Sequence, residues 1–295
     1  MKPSAFEYHR PETVDEAVTL LSDLSEAELM AGNQSLSIVM ANRLANPDHI
    51  IDINAVDELS HIDATGDAVD VGALTRHCDI EHSDVLTEEY AVLSESAGQI
   101  AGPTVRNRGT IGGSIGEADP AGNYPCVLVA MGGELELAST DGRRTVDADD
   151  YFIAYMMTDI EEDELITAAR FPTDPFPAAR TGMTFLGQKR AAQTWPTLSV
   201  AGAVRVDDPD AAEPAIEEAR IGLANAADVP LRIEAVEAAV EGEPLVDATV
   251  ENAGEIAYEQ VSPAAEMHAD ETYKRELARE YTKRALRTAY DRAIA

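Results

Sequence analysis

The sequence predicts an α+β protein built from two domains, and three observations support this prediction. Apolar residues recur with helical spacing in some segments and with strand-like alternation or short continuous runs in others. The length of 295 residues corresponds to about two domains at roughly 100–200 residues per domain. Three prolines, Pro172, Pro175 and Pro177, cluster where a linker is expected. The predicted domains are residues 1–175, in two halves of about 1–55 and 56–175, and residues 178–295.

The first half, residues 1 to about 55, is predicted to be a βαβ-type unit. Thr13 and Glu16 have the spacing of a capping box, and apolar residues follow from Val14 at i, i+3, i+4 and i+7. Together these features predict a helix that begins at Val14 and buries one apolar stripe. The other predicted elements of this half are a strand at 28–31, a helix at 36–43 and a strand at 49–53.

The second half contains predicted strands, helices and one long loop. The segment 101–114 is rich in glycine and shows little periodicity, which predicts a functional loop. Asp119 and Pro120 are the residue types expected at the N-cap and first position of a helix, so a helix is predicted from there to about Met131. Asp141-Gly142 predicts a hairpin turn. The other predicted elements are strands at 68–75, 134–139, 143–146 and 165–171 and a helix at 87–100.

The segment after the proline cluster predicts three strands followed by three helices. The predicted strands are 182–188, 198–206 and 216–223, and the predicted helices are 231–240, 249–261 and 272–294. The last helix carries seven of the 22 basic residues. It is either a solvated amphipathic helix or a docking face for an acidic partner subunit.

The charge balance excludes several classes of function. There are 22 Lys and Arg against 55 Asp and Glu, which gives a net charge of −33 and disfavours nucleic acids and anionic membrane surfaces as partners. No apolar run approaches the ~18–20 residues of a membrane span, and the N-terminal residues show no signal peptide. Two cysteines cannot build a disulfide framework or hold an iron–sulfur cluster, which needs about four thiolates. A reducing cytoplasm is therefore expected.

The acidity also predicts a salt-rich, halophilic setting for this cytoplasm. The acidic residues are spread along the chain, and only four of the 22 basic residues are lysines. At molar salt the Debye length falls to about 3 Å, so the repulsion between carboxylates is screened.

The first of two glycine turns lies between the predicted strand 28–31 and the helix that follows. Such a turn exposes consecutive backbone N–H groups, which can bind an anion without lysine. Gly and Asn tolerate the positive φ that the turn requires, and a serine hydroxyl adds a donor. The segment comprises Met30, Ala31, Gly32, Asn33, Gln34, Ser35 and Leu36.

The second glycine turn lies in the predicted loop 101–114. It matches neither Gly-x-Gly-x-x-Gly nor the nucleotide-binding P-loop, so a Rossmann NAD site and an NTPase are both poor fits. Two separate amide-rich turns favour an extended ligand whose phosphates are held from two sides. The candidate residues are Thr110, Ile111, Gly112, Gly113 and Ser114.

Several segments together resemble one known family. They are residues 6–11 with the helix that follows, 31–36, 43–47, 52–53, 106–114 and 118–120. In this combination the chain is similar to the FAD-binding (medium) subunits of molybdenum hydroxylases, the xanthine dehydrogenase family, and most of all to the aerobic carbon monoxide dehydrogenase type. The resemblance covers essentially the whole chain. It implies a two-part α/β FAD-binding domain of the vanillyl-alcohol oxidase (PCMH) type and a small α/β C-terminal domain with a three-stranded sheet and helices.

The resemblance also implies roles for individual residues. Both glycine turns would bind the FAD pyrophosphate, and Ile100 and Ile166 correspond to positions beside the flavin ring. Asn123 stands where relatives often carry Asp, and it can still bind a sugar hydroxyl. Leu186 stands where relatives often carry Lys, which removes a cation near the flavin. Trp195 either stacks near the flavin or fills a core.

The function implied by the resemblance is electron transfer within a complex. A large subunit would carry the molybdenum cofactor, a small subunit would carry two [2Fe-2S] clusters, and FAD on this chain would pass electrons to an external acceptor, in a dimer of heterotrimers. The chain then needs no catalytic acid–base residues, and its six histidines show no local metal-ligand spacing, so no metal site is predicted. The substrate remains open among carbon monoxide, an aldehyde and an N-heterocycle. The alternatives are a free-standing flavin oxidoreductase and a flavin-free assembly subunit.

Overall fold

Four β-sheets and the helices between them form the computed structural model, which describes residues 2–295. The strands are β1 Glu7–His9, β2 Ala27–Met30, β3 His49–Asp52, β4 Ile62–Thr65, β5 Ala68–Gly72, β6 Glu134–Ser139, β7 Gly142–Asp147, β8 Phe152–Ala154, β9 Met157–Thr158, β10 Leu165–Pro172, β11 Thr181–Lys189, β12 Pro196–Val206, β13 Ile216–Ala224 and β14 Leu231–Arg232. The helices are α1 Val14–Asp23, α2 Leu36–Ala41, α3 His77–Glu81, α4 Asp84–Glu89, α5 Ala91–Gly98, α6 Pro103–Arg106, α7 Ile111–Glu117, α8 Asn123–Met131, α9 Ala148–Tyr151, α10 Glu234–Val240, α11 Asp247–Gln260 and α12 Glu271–Ala293. Within residues 2–295, no helix has the length and apolar character needed to cross a bilayer.

The first sheet is parallel, with the strand order β1-β3-β2. The helix predicted beside it is confirmed as α1, whose N-cap Thr13 accepts a hydrogen bond from the backbone N of Glu16 at 3.2 Å. The Glu16 carboxylate accepts one from the backbone N of Glu12 at 2.8 Å, which completes the capping. α1 buries the predicted apolar stripe, Val14, Ala17 and Val18.

The second sheet is antiparallel, with the order β4-β5-β10-β6-β7. The predicted hairpin is confirmed: β6 and β7 pair from Glu134↔Asp147 to Ser139↔Gly142. β10 lies at the centre of the sheet and is buried over most of its length, because α1, α7 and α8 pack on it. Leu165 and Ile166 belong to two different core clusters.

The predicted helix 87–100 is wrong as a single element. It is divided between α4 and α5 at Tyr90, which has φ −145° and ψ 53°. The Tyr90 ring is fully buried, and its hydroxyl donates to the carbonyl of Pro172 at 3.0 Å. This anchor to the end of β10 stabilises a break that the local pattern does not reveal. The predicted loop 101–114 is also wrong in part, because it contains α6 and the start of α7.

The predicted helix start at Asp119-Pro120 is wrong, because α8 begins at Asn123 with Gly122 as its N-cap. The Asp119 carboxylate instead accepts a hydrogen bond from the Ala121 N at 2.8 Å, and the Asp119 carbonyl accepts one from the Gly122 N at 2.8 Å. These bonds close a turn ahead of the helix. The Pro120 carbonyl accepts a bond from the Asn225 N at 2.6 Å, so this turn also joins the C-terminal sheet.

The C-terminal sheet is antiparallel, in the order β11-β12-β13-β14. The three predicted strands are confirmed, but the sheet has a fourth, short strand. Leu231 pairs with Leu223 in this strand, so the predicted helix 231–240 starts only at Glu234. α12 packs across β11 and β12.

The basic residues of α12 bind acidic residues of the same chain. Lys274, which is buried, lies 2.6 Å from the Glu266 carboxylate, and Lys283 lies 2.9 Å from that of Glu251. Five of the seven basic residues form such pairs: Lys274, Arg279, Lys283, Arg287 and Arg292. The other two, Arg275 and Arg284, lie over the rings of Tyr258 and Tyr281. The helix is therefore neither freely solvated nor a bare basic docking face.

Helix α8 joins the two larger sheets. All nine of its residues are buried, and it packs on both β10 and β13. The approach to β13 depends on Gly222, where an added Cβ would lie 2.5 Å from the Ala130 Cβ.

We predict that Gly222→Ala lowers the free energy of unfolding by about 1–3 kcal/mol, because the new methyl group overpacks this helix–strand contact. Denaturant unfolding of the purified chain measures the loss. Gly66→Ala is the matched control, since nothing lies within 4 Å of an added Cβ there. Equal stabilities for the two variants would contradict the described packing.

Candidate functional site

The first glycine turn leaves a row of backbone amides without protein partners. It connects β2, which ends at Met30, to α2, which begins at Leu36. Within residues 2–295, the amides of residues 32–36 donate no hydrogen bond to protein. Asn33 adopts φ 57°, and its side-chain Oδ1 is buried without a partner. Five adjacent free donors and a buried side-chain oxygen without a partner are the features of a ligand site that the protein leaves open.

The two glycine turns contact each other through their backbones. A Cβ added at Gly32 would lie 2.5 Å from the Arg108 carbonyl oxygen and 2.6 Å from the Gly109 Cα. Only glycine permits this approach, because any side chain at position 32 would separate the turns. The structure therefore brings the two predicted segments together at one place.

The second turn uses its amides inside the protein. Ile111 N donates to the Thr75 carbonyl at 3.1 Å, and Gly112 N donates to the Ala73 carbonyl at 2.9 Å. Gly113 N donates to the Thr110 side chain at 3.1 Å, and Ser114 N donates to the Thr110 carbonyl at 3.1 Å. The open amide row therefore lies at residues 32–36. That residues 110–114 also bind phosphate stays a prediction.

Helix α7 presents bare backbone beside the predicted ring-side residue Ile166. Gly113 and Gly116 are both exposed and lie almost one turn apart. A Cβ added at Gly116 would lie 3.5 Å from the Ile166 Cδ1, and Ile166 itself is 6% exposed. Glycines at these two positions let a flat ligand approach the helix closely.

A hydrogen-bond network that the sequence analysis missed stabilises both turns. The Asn54 Nδ2 donates to the Ala31 carbonyl at 2.8 Å, and the Asn54 Oδ1 accepts from the Arg76 Nη2 at 2.5 Å. The Arg76 guanidinium also donates to the Arg108 carbonyl. One side-chain pair, Asn54–Arg76, thus connects the first turn to the second. It also places the Arg76 guanidinium close to the first turn.

Asp52 and Tyr8 support this network from β3 and β1. The Asp52 carboxylate accepts hydrogen bonds from the Asn54 N at 3.0 Å and from the Tyr8 hydroxyl at 2.5 Å. Burial acts to raise the pKa of Asp52, but the hydrogen bonds from Tyr8 and Asn54 lower it overall. The carboxylate therefore stays charged and keeps Asn54 in place. Two sequence signals pointed to Asp52: its position near the end of the predicted strand 49–53, and the segment 52–53 in the family resemblance.

His77 packs against the second turn as a neutral residue. Its backbone N donates to the Gly109 carbonyl at 3.1 Å, and its Nδ1 lies 3.2 Å from the buried Tyr124 hydroxyl. A Cβ at Gly109 would lie 2.7 Å from the His77 Cδ2. Burial lowers the pKa of His77 to about 4, and the nearby Arg76 and Arg106 act in the same direction.

The remaining predicted residues lie near the junction with the C-terminal sheet. Ile100 is partly buried, and the side chain of its neighbour Gln99 donates to the Phe185 carbonyl of β11 at 2.7 Å. Trp195 is 55% exposed, so it does not fill a core. The loop before Trp195 approaches Ile100, because a Cβ at Gly102 would lie 3.0 Å from the Gln193 side chain.

Asn123 and Lys189 complete this side of the site. Asn123 is 6% exposed, and its Nδ2 donates to the Ser96 carbonyl at 2.8 Å, so its amide nitrogen is already used within the chain. Leu186 brings no charge, but Lys189 places its ammonium group 2.6 Å from the Gln99 carbonyl. A cation therefore lies beside the Ile100 segment even though position 186 is apolar.

Comparisons with known proteins match the whole chain. The family model described as "FAD binding domain in molybdopterin dehydrogenase" matches residues 4–174, and the one described as "CO dehydrogenase flavoprotein C-terminal domain" matches residues 184–289. The carbon monoxide dehydrogenase medium chain of Hydrogenophaga pseudoflava is 37% identical over 99% of this chain and 99% of its own. The nicotine 6-hydroxylase medium subunit of Paenarthrobacter nicotinovorans is 32% identical over 97% of this chain and 98% of its own.

A solved structure agrees with these sequence matches. It is the carbon monoxide dehydrogenase from Hydrogenophaga pseudoflava that lacks the Mo-pyranopterin moiety of the molybdenum cofactor. One chain of that structure matches the present fold with a TM-score of 0.92 and 38% identity, over 99% of both chains.

The neutral state of His77 predicts how stability depends on pH. The pKa of His77 is about 4 in the folded chain and 6.5 when unperturbed, so the unfolded chain binds the proton first as the pH falls. We expect this contribution to stability to be complete above about pH 6.5 and to be lost progressively towards pH 4, by up to about 3 kcal/mol.

The measurement compares His77→Gln with the wild type in denaturant unfolding at several pH values. The difference between the two should shrink as the pH falls through this window. His82→Gln is the control, because the His82 side chain is 75% exposed. A wild-type-to-variant difference that stays constant down to pH 4 would show that His77 is not held neutral.

Proposed function

This chain belongs to the family of FAD-binding medium subunits of molybdenum hydroxylases, and we propose that it serves as the electron-transfer flavoprotein of such an enzyme. In this role it accepts electrons from [2Fe-2S] clusters of a small partner subunit and passes them to an external acceptor. A large partner subunit carries the molybdenum cofactor, and the complex is a dimer of heterotrimers. The observation that carries the proposal is the row of five free amides at residues 32–36.

The residues present fit the phosphates of FAD. The free amides of the first turn supply donors without adding a side chain, and Gly32 allows the turn to rest on Arg108 and Gly109. A hydrogen bond to a charged group contributes roughly 1.5–3 kcal/mol, so a few such donors are enough for tight binding. Arg76 adds positive charge close to the first turn. We propose that this turn and residues 110–114 bind the pyrophosphate.

The residues near α7 and β11 fit a flat ring. We propose that Ile166, beside the bare backbone of α7, and also Ile100 and the exposed Trp195 offer apolar contacts to the ring. When bound, FAD supplies the redox chemistry of the subunit. The chain itself orients the cofactor, excludes water from part of it and places the Lys189 cation nearby. Asn123 is proposed to lie on the sugar side.

We also propose a division of the chain into a FAD-binding domain at residues 1–175 and a C-terminal domain at residues 178–295. The ends of the two family-model matches, at 174 and 184, support this division. Relatives of this chain are named for different enzymes, a carbon monoxide dehydrogenase and a nicotine 6-hydroxylase. This difference supports the proposal that the large subunit, and not this chain, determines the substrate.

The proposed setting is a reducing, salt-rich cytoplasm. Both cysteines, Cys78 and Cys126, are free thiols. The net charge of −33 and the use of α12 cations in internal ion pairs leave an excess of acidic groups that salt would screen.

The proposed pyrophosphate site in the first glycine turn is tested by adding a negative charge at one of two serines. Ser35→Asp places a carboxylate at the free amides, where it competes with and repels phosphate, so we expect FAD affinity to fall at least about tenfold. Ser22→Asp adds the same charge at an exposed side chain of α1 and should change affinity less than about threefold.

Flavin per chain after gel filtration and FAD titration of the apoprotein measure the effect. Circular dichroism checks that both variants fold. Equal FAD binding by the two variants would refute this location for the pyrophosphate. A wild-type chain that neither retains nor binds FAD would instead support a flavin-free assembly subunit.

The salt-rich setting predicts that stability rises with ionic strength. We expect the thermal midpoint to increase by roughly 10 °C or more between dilute buffer and molar KCl, because screening reduces carboxylate repulsion. Sucrose of equal osmolality is the control, since it is excluded from the surface without screening charge. Equal midpoints in dilute buffer and KCl would count against a salt-rich setting.

A further inference from the structure

We propose that Glu7, His9 and His49 form a binding site for a divalent transition-metal ion of the zinc type, on one face of the β1–β3 ladder. The spacing of the six histidines along the sequence predicts no metal site, because they have no local ligand spacing. The site is assembled instead by strand pairing across 40 residues.

The register of the parallel strands places all three side chains on the same face. Glu7 pairs with His49, and His9 lies two residues after Glu7 on β1. Side chains two apart on a strand share a face, and so do paired residues on neighbouring strands. The backbone therefore brings the three side chains to the same face of the two strands.

The ligand atoms have the spacing of a metal site. The His9 Nε2 and the His49 Nδ1 are 3.1 Å apart, and the Glu7 Oε2 is 3.7 Å from the His49 Nδ1. All three ligand atoms lie within 4.8 Å of one another. Zn–N and Zn–O bonds of about 2.0–2.2 Å at tetrahedral angles separate ligand atoms by about 3.4 Å, and the two measured distances lie on either side of this value.

The chemistry of the three groups selects the class of ion. Two imidazoles and one carboxylate suit zinc and its neighbours in the transition series, whereas magnesium and calcium prefer oxygen ligands alone. The Glu7 side chain is 77% exposed and the His49 side chain 20% exposed, so an ion has access and a fourth position remains for water.

The opposite face of the β1–β3 pair carries Tyr8 and Asp52, which support the first glycine turn through Asn54. Tyr8, between Glu7 and His9, donates a hydrogen bond to the Asp52 carboxylate. The positive charge of Arg10 contributes to lowering the pKa of Asp52. An ion that joins β1 to β3 would fix the three-residue edge strand from which Tyr8 reaches Asp52. We therefore assign the ion a structural role.

The test is calorimetric titration of the full-length, chelator-treated chain with ZnCl₂, with and without excess MgCl₂ to occupy the acidic surface. We expect one site that magnesium does not displace. His9→Gln and His49→Gln should each weaken it at least about tenfold, and Glu7→Gln, a change at an exposed side chain, should weaken it less. His82→Gln is the matched control, because His82 lies 4.0 Å from Glu81 but is not part of a cluster of three ligands within the described residues.

Thermal unfolding without metal checks that each variant folds, and cobalt substitution gives a second readout, since tetrahedral nitrogen and oxygen coordination has a characteristic visible spectrum. Loss of the site in the His9 and His49 variants, with retention in His82→Gln, supports the proposal. Absence of zinc binding, displacement by magnesium, or equal affinity in all four variants overturns it.

Discussion

The rest of the candidate site depends on the backbone contact between Gly32 and residues 108–109. A side chain at position 32 would enter the space of the Arg108 carbonyl, so the two turns meet only because position 32 has none. Asn54 and Arg76 then fix this contact by hydrogen bonds to both turns. The amides of residues 32–36 stay free because the turn is supported from its carbonyl side.

This arrangement also resolves an electrostatic conflict. A chain with a net charge of −33 would be expected to repel an anionic ligand, and α12 uses most of its basic residues to bind acidic groups of the chain itself. The donors that residues 32–36 offer are uncharged backbone amides, so they do not require a net positive charge on the chain. One arginine, Arg76, donates to two neutral partners near the turn, the Asn54 side chain and the Arg108 carbonyl, and adds local positive charge.

The sequence was informative wherever local chemistry decides the structure. The capping box at Thr13, the hairpin at Asp141-Gly142 and the first glycine turn follow from residue types at short range, and they were predicted. The break between α4 and α5 at Tyr90 was not predicted, because a hydrogen bond from Tyr90 to Pro172, 82 residues away, stabilises it. The same limit applies to the candidate site. Both turns could be found from glycine and hydroxyl patterns, but the Tyr8–Asp52–Asn54–Arg76 network needs contacts between distant strands.

Helix α8 has a thermodynamic consequence for the whole molecule. Because it is buried on all sides and packs against both the five-stranded and the four-stranded sheet, neither sheet can open without exposing it. Unfolding of one sheet is therefore coupled in free energy to unfolding of the other. The turn at Asp119–Gly122, which precedes α8 and bonds to Asn225, belongs to the same cooperative unit. A protein that binds the C-terminal sheet thus raises the cost of local opening at α8, although it touches no residue of the glycine turns.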